Sequence, residues 1–322
     1  MGVLEDFAHQ LVFNILGFGQ GTALGEAANF FVYDVLKVFI LLTLMVFLVS
    51  YLRTYITPPK IKKWLGGRKE GLGNVLAALL GVPTPFCSCS AVPLFIGFVE
   101  AGVPLGITFS FLISSPMVNE IAIALLFGLV GWEITALYIA SGLSVAIIGG
   151  VIIGRLGLER EVEDFVYDIR SRELKEGKMI FPQRIQFAKD QTHDIVAKVG
   201  PYIVLGIGVG AFIHGYVPTD FLADIAGSNN LFAVPVAVVI GIPLYSNAAG
   251  TIPIIEALMS KGMALGTALA FMMSVTALSL PEMIILRKVL KPKLIAVFIG
   301  VLFVSFVLTG ILFNLLVPAW FK

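Results

Sequence analysis

Residues 81–115 of the chain read GVPTPFCSCSAVPLFIGFVEAGVPLGITFSFLISS, and residues 241–275 read GIPLYSNAAGTIPIIEALMSKGMALGTALAFMMSV. The two stretches align without a gap, at an offset of 160 residues. The identical pairs are Gly81 and Gly241, Pro83 and Pro243, Pro93 and Pro253, Gly102 and Gly262, Leu105 and Leu265, Gly106 and Gly266, Phe111 and Phe271, and Ser114 and Ser274. Most of them are glycine or proline, whose positions reflect backbone constraints more than a general apolar preference. The sequence therefore predicts two structurally related halves.

The composition excludes an ordinary soluble protein. Of the 322 residues, 58% are hydrophobic and 13% are charged, the formal net charge is +1, and the mean hydropathy is +0.95. Soluble domains are about 25% charged, so this much apolar surface must face lipid. The lack of a basic patch among the apolar segments argues against nucleic acid as a partner. Two cysteines exclude a disulfide framework.

The basic residues predict the orientation in the membrane. Of the 22 lysines and arginines, 19 fall in three clusters, which run from Arg53 to Lys69, from Arg155 to Lys198 and from Arg287 to Lys293. The connections around residues 1–33, 131–133 and 215–230 contain acidic residues and no lysine or arginine. Because cytoplasmic loops are enriched in basic residues, the clusters are predicted to be cytoplasmic. The bare connections and both termini are predicted to be outside.

Six apolar segments have close to the roughly 20 residues that a bilayer crossing requires. They are residues 35–55, 105–130, 134–154, 196–214, 264–286 and 294–317. Two more apolar segments, 71–101 and 231–260, are interrupted near the middle by proline, glycine and small polar residues. All three basic clusters fall on one side if each interrupted segment enters the membrane and returns to the side it came from. The alternative is eight full crossings, which hydropathy alone would allow.

The predicted fold is an all-α polytopic membrane protein with about six spanning helices and two re-entrant hairpins, at residues 71–101 and 231–260. Residues 1–155 form the first transmembrane repeat, residues 156–194 a charged cytoplasmic linker, and residues 195–322 the second repeat. Three spans lie between the two copies, so the second repeat is predicted to be inverted. Inverted repeats whose broken helices meet at the midplane occur in many secondary transporters. We therefore expect the substrate site at the hairpin tips, Pro83–Ser90 and Pro243–Gly250.

The first tip carries both cysteines of the chain. It includes Pro85, Cys87, Ser88, Cys89 and Ser90, all of which are predicted to contact the substrate. Thiolates are soft ligands suited to copper(I), and by the same softness to mercury or trivalent arsenic. The pair therefore predicts a thiophilic substrate, with Cys87 and Cys89 as the ligands of a soft metalloid. Two alternatives stay open: the pair could cycle between dithiol and disulfide, or cysteine is present as a small buried residue that suits a tight turn.

The second tip has no cysteine and carries an amide and hydroxyl groups. Ser246, Asn247 and Thr251 are the predicted substrate contacts there, although Asn247 could instead cap the half-helix that follows. Asn119 joins the predicted site because Pro116 interrupts the span after the first hairpin. The predicted site is therefore asymmetric, with thiols on one side and neutral polar groups on the other.

Three carboxylates fall inside apolar segments, apart from Glu100 at the end of segment 71–101. An acid inside a membrane is energetically costly, which makes it a functional candidate by default. Glu120 and Glu256 are predicted to couple transport to protons, with a structural hydrogen bond to a neighbouring helix as the alternative for each. Glu282 lies close to Arg287 and Lys288, which predicts an interfacial salt bridge.

The string PFCSCSAVPLFIGFVEAGVPLGITFSFLISSPMVNE at residues 85–120 resembles a known family. With Gly241–Phe271 and the following Leu280-Pro281-Glu282, it is similar to the predicted permeases that include the ArsP-type methylarsenite efflux permeases and the YraQ-like proteins. The resemblance implies an inner-membrane permease, which in some members exports trivalent organoarsenicals, with Cys87 and Cys89 as the arsenic contacts. It also implies a thioredoxin-like protein as a partner.

These observations predict a secondary transporter that exports a small thiophilic solute, with no enzyme activity and no cofactor. The chain contains no P-loop, dinucleotide fingerprint or nucleophile elbow. One alternative function is a transmembrane thiol–disulfide redox carrier that uses the cysteine pair. The other is a channel-like facilitator of a small anion or sulfur compound, with half-helix N-termini as the anion-binding element.

Overall fold

In the computed structural model, regular secondary structure in the described part of the chain is helical, apart from one antiparallel bridge between Val162 and Leu290. The structure describes residues 3–53, 71–82, 88–100, 102–163, 181–216, 232–244, 248–260, 262–287 and 289–320. The α-helices in these ranges are α1 (Val3–His9), α2 (Ala23–Arg53), α3 (Leu72–Gly81), α4 (Ser88–Glu100), α5 (Leu105–Met117), α6 (Glu120–Arg155), α7 (Phe181–Tyr216), α8 (Ala233–Gly241), α9 (Ala248–Ser260), α10 (Leu265–Ala277), α11 (Leu280–Leu286) and α12 (Pro292–Trp320). A π-helical segment, Gln10–Ile15, follows α1, and a 3₁₀ turn, Glu159–Glu161, follows α6.

Three stretches of the described chain are long and apolar enough to cross a membrane: Glu120–Arg155, Leu265–Leu286 and Pro292–Val317. Large apolar side chains lie exposed on the first and third of these stretches, for example Ile148 and Leu308. A soluble fold would bury such side chains, whereas a bilayer solvates them. The chain is a multi-pass helical membrane protein, as its composition predicted.

Two of the predicted spans are divided by breaks. Residues 105–130 form α5 and the start of α6, and Val118 and Asn119 lie between these helices with non-helical backbone. Residues 264–286 are divided in the same way, since Leu278 and Ser279 separate α10 from α11. Each break exposes backbone polar groups at membrane depth, which persists only where protein or a water-filled cavity satisfies them.

The other predicted spans lie within longer helices. Segment 134–154 belongs to α6, which kinks at Gly131 (φ 83°, ψ 173°) between it and the preceding span. Helix α2 begins at Ala23, before the predicted start of segment 35–55. Helix α7 begins at Phe181 and runs without interruption into segment 196–214, so residues 181–194 of the predicted linker are helical. Residues 164–180 of that linker lie outside the described residues.

The helix bounds recur at the offset read from the sequence. Helices α4 and α9 each have 13 residues, as do α5 and α10, and the starts of each pair differ by 160 residues. Helices α4 and α9 also end alike. Gly102 and Gly262 follow them with φ of 76° and 94°, a conformation that glycine adopts without steric cost. The amide of the next residue then donates to a carbonyl five positions back, at 2.9 Å and 3.1 Å, as in a Schellman motif.

Glycine allows the closest helix contacts in each half. Helix α5 crosses α6 where a Cβ on Gly106 would lie 2.5 Å from the carbonyl oxygen of Gly150. Helix α10 crosses α12 at Gly266 and Gly310, where an added Cβ would meet the facing backbone in the same way. Small residues at such crossings let membrane helices approach and pack backbone against backbone.

Helices α2 and α7 form an antiparallel pair. A Cβ on Gly200 would lie 3.1 Å from the ring of Phe39, and one on Gly208 would lie 3.6 Å from Phe31. The register shows that the end of α2 and the start of α7 are at the same end of the pair. The ring contact between Tyr51 and Phe181, with centroids 6.4 Å apart, lies at that end.

Helix α12 also contacts α5 and α6. The Phe109 and Phe298 rings are 5.4 Å apart, and a strap after α6, residues 158–163, lies against the corner between α11 and α12. In this strap, the amide of Glu163 donates to the Val289 carbonyl (2.9 Å), and the Lys291 ammonium donates to the Arg160 carbonyl (3.0 Å). The start of the second basic cluster therefore lies beside the third cluster, at one end of the molecule.

Candidate functional site

The two predicted tips lie between short helices. The first connects α3 to α4, and the second connects α8 to α9. Residues 83–87 and 245–247 lie outside the described residues, which removes Pro85, Cys87, Ser246 and Asn247 from description. Ser88, Cys89 and Ser90 form the first turn of α4, with side chains that are also outside the described part. Thr251 is fully buried in the first turns of α9.

After the first tip the chain returns, so that α5 begins beside the start of α3. The Asn74 side-chain amide, near the start of α3, donates to the Gly106 carbonyl (3.0 Å) and the Ser110 hydroxyl (2.9 Å) at the start of α5. At the other end of α3, a Cβ on Gly81 would lie 3.2 Å from the Cβ of Ser114. Helices α3 and α5 therefore run side by side in the same direction, and α4 connects the end of one with the start of the other.

The second half has the same arrangement. A Cβ on Gly310 would meet Val234, near the start of α8, at 2.6 Å, and the same glycine packs against Gly266 at the start of α10. Further along, the Ser274 hydroxyl donates to the Val238 carbonyl at 2.7 Å. Helices α8 and α10 are therefore also parallel neighbours.

Side chains satisfy the backbone at the break between α5 and α6. The Asn119 side chain accepts a hydrogen bond from the Ala122 amide (2.8 Å) as the N-cap of α6, and it donates to the Pro116 carbonyl (3.1 Å). The buried Tyr138 hydroxyl donates to the Met117 carbonyl at 2.8 Å. Asn119, a predicted substrate contact, therefore bonds to residues on both sides of this break.

A backbone hydrogen bond connects the second break to the end of α8. The amide of Leu280, the first residue of α11, donates to the Ile242 carbonyl at the end of α8, at 2.6 Å. Ser279, at the N-cap position, makes no side-chain capping bond. The position of α11 is therefore tied directly to the base of the second tip.

The three predicted carboxylates lie in different surroundings. Glu120 and Glu256 are exposed at the protein surface, whereas Glu282 is 1% exposed and packs inside the protein. The Arg287 guanidinium, an expected partner of Glu282, lies 2.8 Å from Glu163 of the strap. The other expected partner, Lys288, lies outside the described residues.

Hydroxyl groups at the breaks were not among the predicted site residues. Ser114, Ser115, Thr276 and Ser279 are all buried on either side of the two breaks. The Thr276 hydroxyl donates to the Met272 carbonyl at 2.9 Å. The sequence feature that could have indicated these residues is the presence of small hydroxyl side chains inside an otherwise apolar span. Within the described part of the chain, no group of three or more His, Cys, Asp or Glu residues could hold a metal ion.

A family model described as predicted permease, ArsP, matches residues 23–315, which include both halves, both tips and both breaks. The chain belongs to the ArsP predicted permease family. The resemblance noted from the two signature stretches is confirmed. A membrane permease acts on a small solute, so the general function is transport across a bilayer.

Curated relatives of this permease come from bacteria and an archaeon. A Streptococcus mutans protein, named as a subunit of a two-component membrane permease complex, is 26% identical over 258 residues, covering 79% of this chain and 83% of its own. The UPF0718 protein MJ0584 of Methanocaldococcus jannaschii is 23% identical, covering 84% of this chain and 90% of its own. The UPF0718 protein YraQ of Escherichia coli is 25% identical, covering 76% of this chain and 68% of its own. No solved structure matches the permease.

Proposed function

We propose that this permease is a secondary transporter that exports a small thiophilic solute, such as a trivalent organoarsenical, across the inner membrane. The observation that carries the proposal is the hydrogen bond between Leu280 and Ile242, which joins the base of the second tip to a broken membrane helix. Discontinuous helices that meet hairpin tips form the solute sites of many secondary transporters. In this chain the corresponding first tip carries the cysteine pair.

The proposed architecture has two re-entrant hairpins. Helix α3 has 10 residues, or roughly 15 Å, which is about half of the hydrocarbon thickness of a bilayer. The contact between Asn74 and Gly106 supports a chain that enters and returns, because both residues lie at the same end of α3 and α5. The shared contact of Val234 and Gly266 with Gly310 supports the same path for the second hairpin.

Two other contacts support the proposed inversion of the repeats. The strap at residues 158–163 lies beside Lys291. This contact supports a position of the second and third basic clusters on the same side of the membrane. The ring contact between Tyr51 and Phe181 supports a position of the end of α2 and the start of α7 on that side as well. By the positive-inside rule this side is cytoplasmic, which leaves both termini outside.

The proposed solute site combines two thiols with neutral polar groups. Cys87 and Cys89 would bind the metalloid, and Asn119 would line the site at the first break. The remaining proposed contacts are Pro85, Ser88 and Ser90 at the first tip and Ser246, Asn247 and Thr251 at the second. A monomethylated trivalent arsenic has two exchangeable positions, which matches two thiols. The chain has no third cysteine that would hold inorganic arsenite more tightly.

The proposed driving force is a proton gradient, with carboxylates inside the membrane as proton carriers. Glu120 and Glu256, which are exposed on the protein, are the proposed carriers. A second membrane subunit is a proposed partner, because one relative is named as part of a two-component permease complex. A thioredoxin-like protein is the proposed partner if the cysteine pair cycles between dithiol and disulfide.

The test is uptake of methylarsenite by inverted membrane vesicles, with the wild-type permease compared with Cys87→Ser/Cys89→Ser. Uptake by the wild type and its loss in the double variant are expected. The control variant is Ser144→Ala, which changes an exposed hydroxyl on α6 that is not among the proposed solute contacts. Unchanged uptake in the double variant would rule out the thiols as ligands. Thiol–disulfide exchange by the wild type without any uptake would favour the redox carrier.

The orientation has a separate test. Single cysteines introduced at Gln186 or His193, in the exposed start of α7, are treated with an impermeant thiol reagent from outside intact cells. The cysteines are introduced into the Cys87→Ser/Cys89→Ser variant, so that the reagent can label the introduced thiol alone. No labelling is expected until the cells are opened, and labelling of intact cells would contradict the re-entrant topology.

A further inference from the structure

One side of the contact between α6 and α12 carries matching rows of exposed residues. The two helices meet where a Cβ on Gly149 would lie 3.5 Å from Val301. They run antiparallel, since α6 ends and α12 begins beside the strap. With about 3.6 residues per turn, helical periodicity places six exposed residues on the same side of this contact. They are Ile148, Ile152 and Arg155 of α6 and Lys293, Gly300 and Val304 of α12.

The apolar part of this face can accommodate an acyl chain. Ile148 and Ile152 on α6 are 56% and 42% exposed, and Val304 on α12 is 55% exposed. Gly300, one turn before Val304, has no side chain, and an added Cβ would meet nothing within 4 Å. The face therefore has a shallow depression beside branched apolar side chains, in a region of the protein that contacts lipid.

Cations lie at one end of the same face. Arg155 and Lys293 are about 9 Å and 12 Å, along the axes of α6 and α12, from the level at which the helices meet. Both are displaced toward the strap. The strap adds Arg160, which is exposed and whose carbonyl accepts a hydrogen bond from the Lys291 ammonium at 3.0 Å. Basic side chains of α6, the strap and α12 therefore lie next to one another where the apolar face ends.

This end of the face is positive when its acids are included. Among the described residues of 155–163 and 287–293, five are basic and three are acidic. The Glu163 carboxylate lies 2.8 Å from Arg287, and the Glu161 carboxylate lies 3.7 Å from Lys293. An ammonium group has three donors, so Lys293 can bind a further anionic oxygen while it stays near Glu161.

We propose that this face binds one anionic phospholipid. Its phosphate group contacts Arg155, Arg160 and Lys293, and one acyl chain lies in the depression at Gly300. Basic side chains at the membrane surface attract anionic head groups, and the adjoining exposed apolar residues hold the chains that a soluble anion lacks. The bound head group connects the end of α6 with the start of α12 and so adds to the contacts of the strap. The lipid site is independent of the transported solute and of the driving force.

The first experiment measures phospholipid binding to the purified permease in detergent by native mass spectrometry. Phosphatidylglycerol is the probe, and phosphatidylcholine with the same acyl chains is the zwitterionic comparison. Arg160→Gln and Lys293→Gln should each weaken phosphatidylglycerol binding about fivefold, because each removes one cation from the head group. Wild-type affinity in both variants would overturn the proposal, as would equal affinity of the wild type for the two lipids.

Two control variants separate the head-group contact from other effects of substitution. Lys189→Gln removes an exposed basic charge from the start of α7, outside this face, and should bind phosphatidylglycerol like the wild type. A loss as large as that of Lys293→Gln would indicate a general effect of net charge and overturn the proposal. Lys293→Arg keeps the charge and should retain binding, and a loss equal to that of Lys293→Gln would overturn the assignment of this cation.

The acyl part of the site has its own test. An excess of glycerol phosphate should leave phosphatidylglycerol bound, because the free ester has no acyl chain for the depression at Gly300. Complete displacement would indicate a site for free phosphate and overturn the lipid assignment. Gly300→Leu, which fills the depression, should weaken the binding of phosphatidylglycerol. Unchanged binding by this variant would overturn the position of the acyl chain.

Discussion

The replacement of Gly106 by alanine tests a close backbone-to-backbone contact between α5 and α6. Gly106 lies at the start of α5, and an added Cβ would be 2.5 Å from the Gly150 carbonyl oxygen and 2.8 Å from the Gly154 Cα on α6. These neighbours are backbone atoms, which no rotamer change can move away. Helices α5 and α6 must therefore separate, or the start of α5 must unwind.

The size of the effect follows from this distance. A relaxed carbon–oxygen contact is about 3.3–3.6 Å, so the Cβ in Gly106→Ala requires a separation of about 0.8–1.1 Å. Overpacking of this kind costs about 1–3 kcal/mol. The better helix propensity of alanine offsets up to about 1 kcal/mol of it, and less in the first turn of a helix. A net loss of about 1–2 kcal/mol lowers the melting temperature Tm by roughly 2–8 °C, on the scale of chains of 150–250 residues.

The assay is the Tm of the detergent-solubilised permease, read as the loss of the monodisperse size-exclusion peak on heating. Gly300→Ala is the matched control, because a Cβ on Gly300 meets nothing within 4 Å and the first half already has Ala140 at the equivalent position. The control is expected to keep or raise Tm. Gly266→Ala, at the equivalent crossing in the second half, is expected to lower Tm like Gly106→Ala. The reasoning fails if Gly106→Ala has a Tm equal to or above that of the wild type, or if Gly300→Ala lowers Tm by as much as Gly106→Ala.

Two further predictions concern the first break and the strap. Tyr138→Phe removes the hydroxyl that donates to the Met117 carbonyl and should cost roughly 1 kcal/mol, visible as a lower Tm. An unchanged Tm would mean that water or another group satisfies the carbonyl. Glu163→Gln removes the charge that faces Arg287 across 2.8 Å, between side chains that are 30% and 49% exposed. Because such pairs contribute under about 1 kcal/mol and are screened by salt, its Tm deficit should be small and should vanish at high salt. A deficit that persists at high salt would contradict a screened surface pair.

The backbone pattern was predictable where it depends on local residue types. Glycine and proline at residues 81–106 and 241–266 indicated two equivalent hairpins, and the structure has short helices with matching bounds there. The apolar lengths indicated the spans, because a helix must satisfy its own backbone in lipid. The interruption at Pro116 also indicated a break in the following span, which lies at Val118 and Asn119.

The surroundings of individual polar residues were less predictable. The sequence predicts an interfacial salt bridge between Glu282 and Arg287 or Lys288, because these residues are close along the chain. In the structure Arg287 pairs with Glu163, which is distant in sequence, and Glu282 is buried. The sequence likewise offers no sign that the Leu280 amide would find its acceptor at Ile242.

Hydropathy, charge asymmetry and the glycine and proline spacing are properties of the linear chain, so the class of protein and its family could be recognised from the sequence. Which of the three candidate carboxylates is buried, and which groups bond across the two breaks, became apparent in the folded molecule. The physical reason is that burial and hydrogen bonding at membrane depth depend on neighbours supplied by distant segments. A residue such as Glu282 therefore acquires its environment only when α4, α7 and α11 pack together.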